Sequence, residues 1–585
     1  MTIEPTPVKD ATSYDLLSPG ESEDRRLVSQ EERRWVLVFA VLVMLLTSLP
    51  YLFGYIAQGQ VYRFTGFVFG VEDGNSYIAK MLNGSSGDWL FRTPYTAYPQ
   101  TGLFMYIPYL LLGKLAAPPG LHEQLVSLYH LFRFAAGMLA ILASYDFLAY
   151  FIRESRLRRF ALALACLGGG LGWLLVLLGK QTWLGSLPLD FYSPEAFGFL
   201  GLYGLPHIAL ARALLLWALL AYLRLIESGI EPSAGQPGKW NKSLRGAIQL
   251  SLLWILAGLF QPLTLALIGV VIGWHQLGLV IWQLVRQRRG QVFGWANWRR
   301  WFAWLAAAAL LPGLFTAYNL AIASFDPFAR IWTAQNVIRS PNILHYLLAY
   351  GLILPYAWWG GRWMLRSDSW RGWLLVGWVL IFPLLAYAPL DLQRRLTEGV
   401  WVAWCALALA GLENPVPESA RQPAGTSLKQ RDFRSIPLWL AFPSTIFLLL
   451  GGMLAAWRTA PPIFRSTAQV QVFDYLQVTA RPGTVVLGAF DTSNALPAWA
   501  PMRVLVGHGP ESIHKSELES QIAAFYQSQT SNEQRRALID RFDIAYVFWG
   551  PAERLLGDWS PSLASYLALV LQQGEYTLYK VVPAP

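Results

Sequence analysis

Two adjacent carboxylates, Glu72 and Asp73, occur in the stretch FGVEDGNSYIAKMLNGSSGDW at residues 69–89. The stretch lies beyond an apolar run long enough to cross a bilayer, and its pattern predicts a short amphipathic helix. A carboxylate at a membrane surface can take a proton from an attacking hydroxyl or amine, which is general-base chemistry. Alternatively, the carboxylates stabilise the free N–H groups of the helix start. The sequence leaves both interpretations open.

Two arginines, Arg394 and Arg395, lie in the short segment APLDLQRRLTEG between two apolar runs. Guanidinium groups bind phosphate oxygens, and a departing phosphate is stabilised by nearby positive charge. Both are therefore candidate phosphate ligands, with Arg394 as the first choice although the sequence does not separate the two. Contact with lipid headgroups or with a helix end is the alternative.

Two further arginines, Arg133 and Arg212, fall inside apolar runs. Inserting an arginine in a span costs about 2.5–3.5 kcal/mol, so such residues usually face a polar cavity. We therefore predict them as additional phosphate ligands. Snorkelling of their guanidinium groups to the interface is an equally simple explanation.

The composition indicates the class of protein that must position these side chains. Of the 585 residues, 54% are hydrophobic and 14% are charged, and apolar runs of about 20 residues recur, which predicts a polytopic membrane protein. The net charge of +10 is explained by Lys and Arg in cytoplasmic loops, so no nucleic-acid partner is predicted. Cys166 and Cys405 lie in apolar runs, which predicts neither a disulfide nor a thiolate metal site.

The chain divides into three predicted parts. Residues 1–34 are polar and predict a disordered cytoplasmic tail, and residues 35–457 predict a transmembrane domain with functional outer loops. Eleven spans are predicted, at residues 35–57, 125–151, 160–179, 206–226, 247–260, 262–285, 301–322, 342–360, 371–388, 399–412 and 436–457. Residues 458–585 alternate helical and β-like stretches and predict a small extracytoplasmic α/β domain, in which the loop VGHGPES is either part of the site or only a turn.

The segment at residues 101–117 decides the topology. It is about 17 residues long, the lower limit for a span, and contains Pro108 and Lys114. If it crossed, the basic segments at 153–159, 239–245 and 286–300 would face outward, against the positive-inside rule. If it lies along the membrane, the inner segments hold roughly 24 Lys and Arg and the outer loops about 8. We therefore predict a membrane-lying segment and a cytoplasmic N-terminus.

The order Asp73, Tyr77, Gly87-Asp88-Trp89 and Pro99 before an apolar helix resembles the first outer loop of the GT-C superfamily of membrane glycosyltransferases. Protein mannosyltransferases and lipid A aminoarabinose transferases belong to that superfamily. Their loop is similar to Asp-Glu-x-x-Tyr, then Gly-Asp-Trp and prolines, and its acidic residue is the catalytic base or an acceptor-binding group. Here the pair is Glu-Asp, Asp73 takes the place of the leading aspartate, and YPQTG replaces the proline pair. The resemblance implies a mainly α-helical membrane fold with juxtamembrane helices and a terminal outer domain.

The resemblance also implies roles for other outer loops. Glu195, in YSPEAFGFLGLYGLPHIALAR, resembles an acidic residue of aminoarabinose-transferase-like sequences that holds an acceptor or a metal, with His207 in support. The stretch FDPFARIWTAQNVIRSPN resembles a loop that closes over the lipid donor. Its candidate sugar contacts are Trp332, Gln335 and Asn336. The alternatives are an exposed loop acid for Glu195 and an interfacial histidine for His207.

The resemblance, together with these residues, implies an inverting glycosyltransferase that uses a polyprenyl-phosphate-linked sugar at the outer face of a bacterial cytoplasmic membrane. Asp73 is the predicted base or acceptor clamp, supported by Glu72. No strong metal or nucleotide motif occurs, so no cofactor is firmly predicted; a divalent cation, Mg²⁺ or Mn²⁺, held by Asp73 and Glu195 is compatible with these residues. A transporter or flippase is the chief alternative, although the sequence shows neither internal repeats nor broken spans. A non-enzymatic scaffold is the other.

Overall fold

Long apolar runs of the sequence form long helices. The structure is a computed structural model that describes residues 28–230, 239–287, 295–367, 370–414 and 435–582. Eight helices in these ranges are long and apolar enough to cross a membrane, and a ninth apolar helix is shorter. The helices of the membrane part are α1 (Gln30–Ala57), α2 (Val71–Ser85), α3 (Ile107–Gly113), α4 (Leu121–Phe151), α5 (Ser155–Leu167), α6 (Gly172–Leu177), α7 (Leu189–Tyr192), α8 (Phe199–Gly204), α9 (Pro206–Ile230), α10 (Lys239–Phe260), α11 (Leu263–Gln287), α12 (Trp295–Phe325), α13 (Pro327–Gln335), α14 (Ile343–Tyr350), α15 (Leu354–Arg366), α16 (Gly372–Ala386), α17 (Val400–Glu413) and α18 (Pro443–Trp457).

Helix α1 begins at Gln30 rather than at the predicted residue 35. Ser29 accepts a hydrogen bond from the Glu32 backbone, and the Glu32 carboxylate accepts one from the Ser29 backbone. This capping box satisfies two N–H groups at the helix start. Residues 30–34 are therefore helical, whereas residues 1–27 of the predicted tail lie outside the described residues.

Two of the predicted spans are broken, which hydropathy did not predict. The run at 160–179 forms α5 and α6, and the run at 342–360 forms α14 and α15. Gly170 lies in the first break, where a Cβ atom would meet the Ala349 Cα at 2.5 Å. The Leu171 N–H donates to the Leu348 carbonyl at 3.2 Å. The first break therefore packs against the last turn of α14, where a carbonyl accepts a hydrogen bond from an N–H group of the break.

The segment at residues 101–117, on which the predicted topology depends, contains only the seven-residue helix α3. At 1.5 Å per residue this helix is about 10 Å long, too short to cross a bilayer. It packs closely on α2, because a Cβ on Gly84 would meet the Leu110 carbonyl oxygen at 2.1 Å and one on Gly113 would meet the Met81 carbonyl oxygen at 1.8 Å. Helices α2 and α3 form one juxtamembrane layer.

The residues after α18 form a mixed five-stranded sheet with helices. The strands are β1 (Tyr62–Phe64), β2 (Phe464–Ser466), β3 (Val485–Leu487), β4 (Arg503–Val504), β5 (Ile544–Trp549), β6 (Leu567–Gln573) and β7 (Tyr576–Val581), and the helices are α19 (Thr467–Thr479), α20 (Phe490–Trp499), α21 (Lys515–Phe525), α22 (Asn532–Phe542) and α23 (Pro551–Arg554). The strand order of the sheet is β4-β3-β5-β7-β6, with β3 parallel to β4 and β5, and β7 antiparallel to β5 and β6. A separate antiparallel pair joins β1 of the first loop to β2.

The C-terminal part and the first loop share a hydrophobic core. Ile78 of α2, Phe473 of α19 and Trp499 of α20 belong to one cluster of buried side chains. Burial of this apolar surface fixes α2 between the membrane helices and the sheet. The mainly helical membrane fold with a C-terminal α/β part confirms the predicted fold class.

Candidate active site

A cavity of about 790 Å³ lies where the juxtamembrane layer, the ends of several spans and the C-terminal part meet. This volume is typical of sites for small molecules. Eight of the predicted site residues line it: Asp73, Glu195, His207, Trp332, Gln335, Asn336, Arg394 and Arg395. They come from α2, the start of α9, the end of α13, the loop before α8 and the 3-10 helix Gln393–Thr397.

Asp73 lies in the first turn of α2 and does not act as its cap. The N-cap residue is Gly70, at φ 58° and ψ 46°, and within the described chain this helix start has no side-chain cap. The Asp73 carboxylate is 57% exposed, and its Oδ1 lies 3.2 Å from Nε2 of His508. Although this side chain opens onto the cavity, the surrounding protein desolvates it and so raises the pKa of Asp73, but the hydrogen bond and charge of His508 and the charge of Lys80 outweigh desolvation and hold that pKa below its ordinary value. The carboxylate is therefore ionised and can accept a proton.

Glu72 lies outside the cavity lining and faces the C-terminal part instead. Its carboxylate accepts a hydrogen bond from the Gly509 backbone at 2.9 Å. The structure thus places Glu72 as a contact that holds the loop 506–512 against α2.

Arg394 and Arg395 differ in their surroundings. The Arg394 Nε lies 3.6 Å from Oε2 of Glu195, and its guanidinium group lies over the Tyr192 ring at 4.7 Å. The Nε atom of each arginine is buried without a hydrogen-bond partner, but no carboxylate in the described ranges forms an ion pair with Arg395. Of the two arginines, Arg395 is therefore the one whose charge is available to a ligand.

Glu195 is held in place from behind. Arg212 donates to the carbonyl of Pro194 and to Glu398, both at 2.5 Å. His207, at the start of α9, lies 2.9 Å from the Tyr109 hydroxyl. Glu195 and His207 therefore face the cavity from fixed positions.

The structure does not bring Arg133 and Arg212 into the cavity lining, which corrects the prediction that they bind phosphate. Arg133 donates to Thr47 at 2.9 Å, to Ser48 at 2.7 Å and to the carbonyl of Leu202 at 3.2 Å. Its side chain is buried among these partners. Both arginines join helices instead, because hydrogen bonds and an ion pair already occupy their N–H groups.

Helix α13 forms one wall of the cavity. Asp326 is its N-cap and accepts from the Ala329 backbone at 2.8 Å. At the other end, the Gln335 amide donates to the Ser512 carbonyl at 2.9 Å. Trp332 packs against Phe91 and Tyr106. The helix therefore connects the membrane part to the loop 506–512.

Three important side chains were not identified from the sequence: Lys80, His508 and Glu511. Lys80 and Glu511 form a buried ion pair of 2.6 Å, and Thr93 donates to Glu511 at 2.5 Å. Burial raises the pKa of Glu511, but Lys80, His508 and Thr93 outweigh burial and lower it. The only signal in the sequence for His508 and Glu511 was the Gly- and Pro-containing loop VGHGPES, which a simple turn explained equally well.

The side chains present do not fit a resident divalent cation. Asp73 is directed at His508 and Glu195 at Arg394. The described ranges contain no group of three His, Cys, Asp or Glu that could hold a metal ion. No step is therefore assigned to a metal.

A smaller pocket of about 190 Å³ adjoins the cavity between α3, the turn from α10 to α11, and α12. Its lining is mainly apolar, with Phe104, Ile107, Leu259 and Phe315, and also includes the polar side chains of Gln261 and Asn319. It also shares residues with the cavity: Tyr77, Tyr106, His207, Trp332, Asn336 and Arg395. Arg395 thus lies where a polar space and an apolar space meet.

Neither a protein-family model nor a curated protein sequence matches this chain, but solved structures share its fold. The apo oligosaccharyltransferase of Archaeoglobus fulgidus is similar with a TM-score of 0.54 and 14% identity over 92% of this chain and 73% of that chain. Its complex with an inhibitory peptide and dolichol-phosphate gives 0.51 and 12% over 89% and 70%. The mycobacterial arabinofuranosyltransferase AftD gives 0.55 and 15% over 94% of this chain and 42% of that longer chain. At these identities the likeness is one of fold.

Proposed function

Because the chain has the GT-C glycosyltransferase fold, we propose that it transfers a sugar from a polyprenyl-phosphate-linked donor to an acceptor. The observation that supports this proposal is one cavity that holds an ionised Asp73 and the arginines Arg394 and Arg395. A base and a phosphate-binding cation are the two groups that such a transfer requires. We place the reaction at the outer face of a bacterial cytoplasmic membrane, with the N-terminus cytoplasmic, as the distribution of basic segments predicts.

The reaction is a single displacement at the anomeric carbon of the donor sugar. An acceptor hydroxyl or amine forms the new bond to this carbon while the bond to the phosphate oxygen breaks. The phosphate takes the bonding electron pair, and Asp73 takes the proton of the acceptor or holds the acceptor in place. Attack opposite the leaving group inverts the configuration of the sugar.

Arg395 is the phosphate ligand that the surroundings favour, rather than the first-choice Arg394. Arg394 is engaged with Glu195 and stacked on Tyr192, whereas Arg395 has no carboxylate partner within the described chain. A phosphate held by Arg395 would leave the first isoprene units of its polyprenyl chain at the side pocket and its sugar in the polar cavity. Arg394 then keeps Glu195 in position and adds positive charge.

The remaining predicted residues fit roles in substrate contact. Trp332 and Asn336 line both spaces and Gln335 lines the cavity alone, and we assign all three to contact with the donor sugar. Glu195 and His207 line the side that carries the arginines and are placed to orient substrate hydroxyls.

The test supplies purified protein with polyprenyl-phosphate-linked sugars and candidate acceptors. We expect glycosylated acceptor with inverted anomeric configuration and free polyprenyl phosphate in equal amounts. A retained configuration would contradict the single displacement. Movement of intact donor between leaflets of a vesicle, without bond cleavage, would instead identify a flippase.

A further inference from the structure

His508 connects the candidate base to the C-terminal part of the chain. Its Nε2 lies 3.2 Å from Oδ1 of Asp73, and its Nδ1 lies 3.6 Å from Oε1 of Glu511. We propose that His508 is a positioning residue, which holds the Asp73 carboxylate in the orientation needed to meet the acceptor. This inference rests on the proposed glycosyltransfer.

The loop that carries His508 is fixed by a local hydrogen-bond network. The Ser512 hydroxyl accepts from the backbones of Gly507 at 3.0 Å and His508 at 3.1 Å, and donates to the His508 carbonyl at 2.7 Å. Asn494 of α20 donates to the Gly507 carbonyl at 2.7 Å. Gly507 allows a close approach, since a Cβ there would meet the Ser493 carbonyl oxygen at 2.5 Å. The backbone that carries the His508 imidazole is therefore rigid.

The ring is also enclosed on the side away from Asp73. Glu511 lies 3.6 Å from the His508 Nδ1, beyond hydrogen-bond distance, and is itself held by Lys80 and Thr93. The His508 side chain is only 10% exposed, so the ring has little room to rotate. With a carboxylate at Nε2, the ring must donate from that atom and Asp73 must accept.

Asp73 needs such a partner because its own environment leaves it free to turn. The side chain is 57% exposed, in contrast to the buried carboxylate of Glu511. A terminal carboxylate torsion has a broad distribution when nothing holds it. A charge-assisted hydrogen bond from a rigid donor selects one orientation before the substrates arrive.

The test measures steady-state transfer by His508→Ala and His508→Gln. We expect His508→Ala to lower kcat by roughly 10- to 100-fold with little change in KM for the donor, because misplacing a catalytic group by about 1 Å costs up to that much. The side-chain amide introduced by His508→Gln can reach the position of the imidazole Nε2 and donate, so this variant should recover part of the loss. In Asp73→Asn protein, adding His508→Ala should cost almost nothing more, since the two residues act as a unit.

The matched control is His122→Asn. His122 is also buried between the membrane part and the C-terminal part, where it stacks on Trp499 and bonds to the Ala498 carbonyl, but it lies outside the cavity lining. We expect its kcat to stay at the wild-type value.

Each result separates this inference from the proposed function. Wild-type protein that transfers no sugar overturns both. Transfer by the wild type with an unchanged kcat in His508→Ala, or fully additive losses with Asp73→Asn, overturns the role of His508 alone. A fall in kcat of equal size in His122→Asn would show that loosening of this interface, rather than loss of the Asp73 contact, is responsible.

Discussion

The two sides of the cavity are built differently. The acidic side combines α2 with the loop 506–512, and its charges are paired, Asp73 with His508 and Lys80 with Glu511. The basic side is formed by loops at the ends of membrane spans, and there Arg395 has no carboxylate partner within the described chain. The charges of the acidic side are thus paired within the protein, whereas on the basic side the charge of Arg395 is available to a ligand.

This difference indicates how the chemistry is divided. A group that must take a proton from a defined direction benefits from a fixed environment. A group that must bind an anionic lipid benefits from an unpaired cation beside an apolar space, because the phosphate and the chain then bind together. The variants below separate the two sides.

The largest effect is expected from Asp73→Asn on the acidic side. Loss of a general base typically lowers the rate by about 10²–10⁴-fold, and the KM for the donor should hardly change because the phosphate binds elsewhere. The measurement is kcat with a polyprenyl-phosphate-linked sugar. Asp391→Asn is the matched control, since Asp391 is half-exposed, pairs with the exposed Arg339 and lies outside the cavity lining. Equal rates in Asp73→Asn and the control would remove Asp73 from its role.

On the basic side we expect Arg395→Gln to reduce kcat/KM for the donor by roughly 10²–10³-fold, as loss of one charge-stabilising donor does elsewhere. Arg394→Gln should cost less, because Arg394 already shares its charge with Glu195. The exposed Arg339 provides the control Arg339→Gln. The reverse order of the two losses would show that Arg394 holds the phosphate.

The Lys80–Glu511 ion pair of the acidic side should contribute to the stability of the fold. Glu511→Gln leaves the Lys80 ammonium buried and unpaired, which should lower the free energy of unfolding by about 3–5 kcal/mol. Replacing both residues by apolar side chains should restore much of this loss. Thermal unfolding in detergent measures both. An unchanged stability in Glu511→Gln would mean that Lys80 finds another partner.

The smallest effect concerns pH. The pKa of Glu511 in the folded protein lies below its ordinary value of 4.5. The contribution of Glu511 to the free energy of unfolding is therefore complete above that ordinary value and is lost as pH falls through the folded pKa. Between pH 8 and pH 5, Glu511 should therefore add no pH dependence to the stability. Below that range Glu511→Gln should flatten the acid loss seen in the wild type. Thermal unfolding from pH 7 to pH 3 measures the two slopes.

Sequence reasoning identified the local features and missed those set by long-range packing. Asp73 and the arginine pair could be found because their charge is unusual beside apolar runs. His508 could not be paired with Asp73, because 435 positions separate them in the chain. Similarly, the break at Gly170 depends on the Ala349 backbone, and hydropathy contains no information on that contact.

Arg133 shows the same limit from the opposite side. An arginine in an apolar run predicted a polar cavity, yet Thr47 and Ser48 of α1 satisfy its guanidinium group. Nothing in the sequence distinguishes Thr47 and Ser48 from other hydroxyl residues, so their contact with Arg133 was not predicted. The prediction that the Arg133 charge needs polar partners was right, but these partners are side chains and a carbonyl of the protein rather than a bound phosphate.

The most direct test of the two-sided cavity is an experimental structure with a bound polyprenyl-phosphate-linked sugar. We expect a phosphate oxygen within about 3 Å of the Arg395 guanidinium group, the polyprenyl chain in the apolar side pocket, and the anomeric carbon facing Asp73. A phosphate bound outside this cavity, or a sugar directed away from Asp73, would contradict the account.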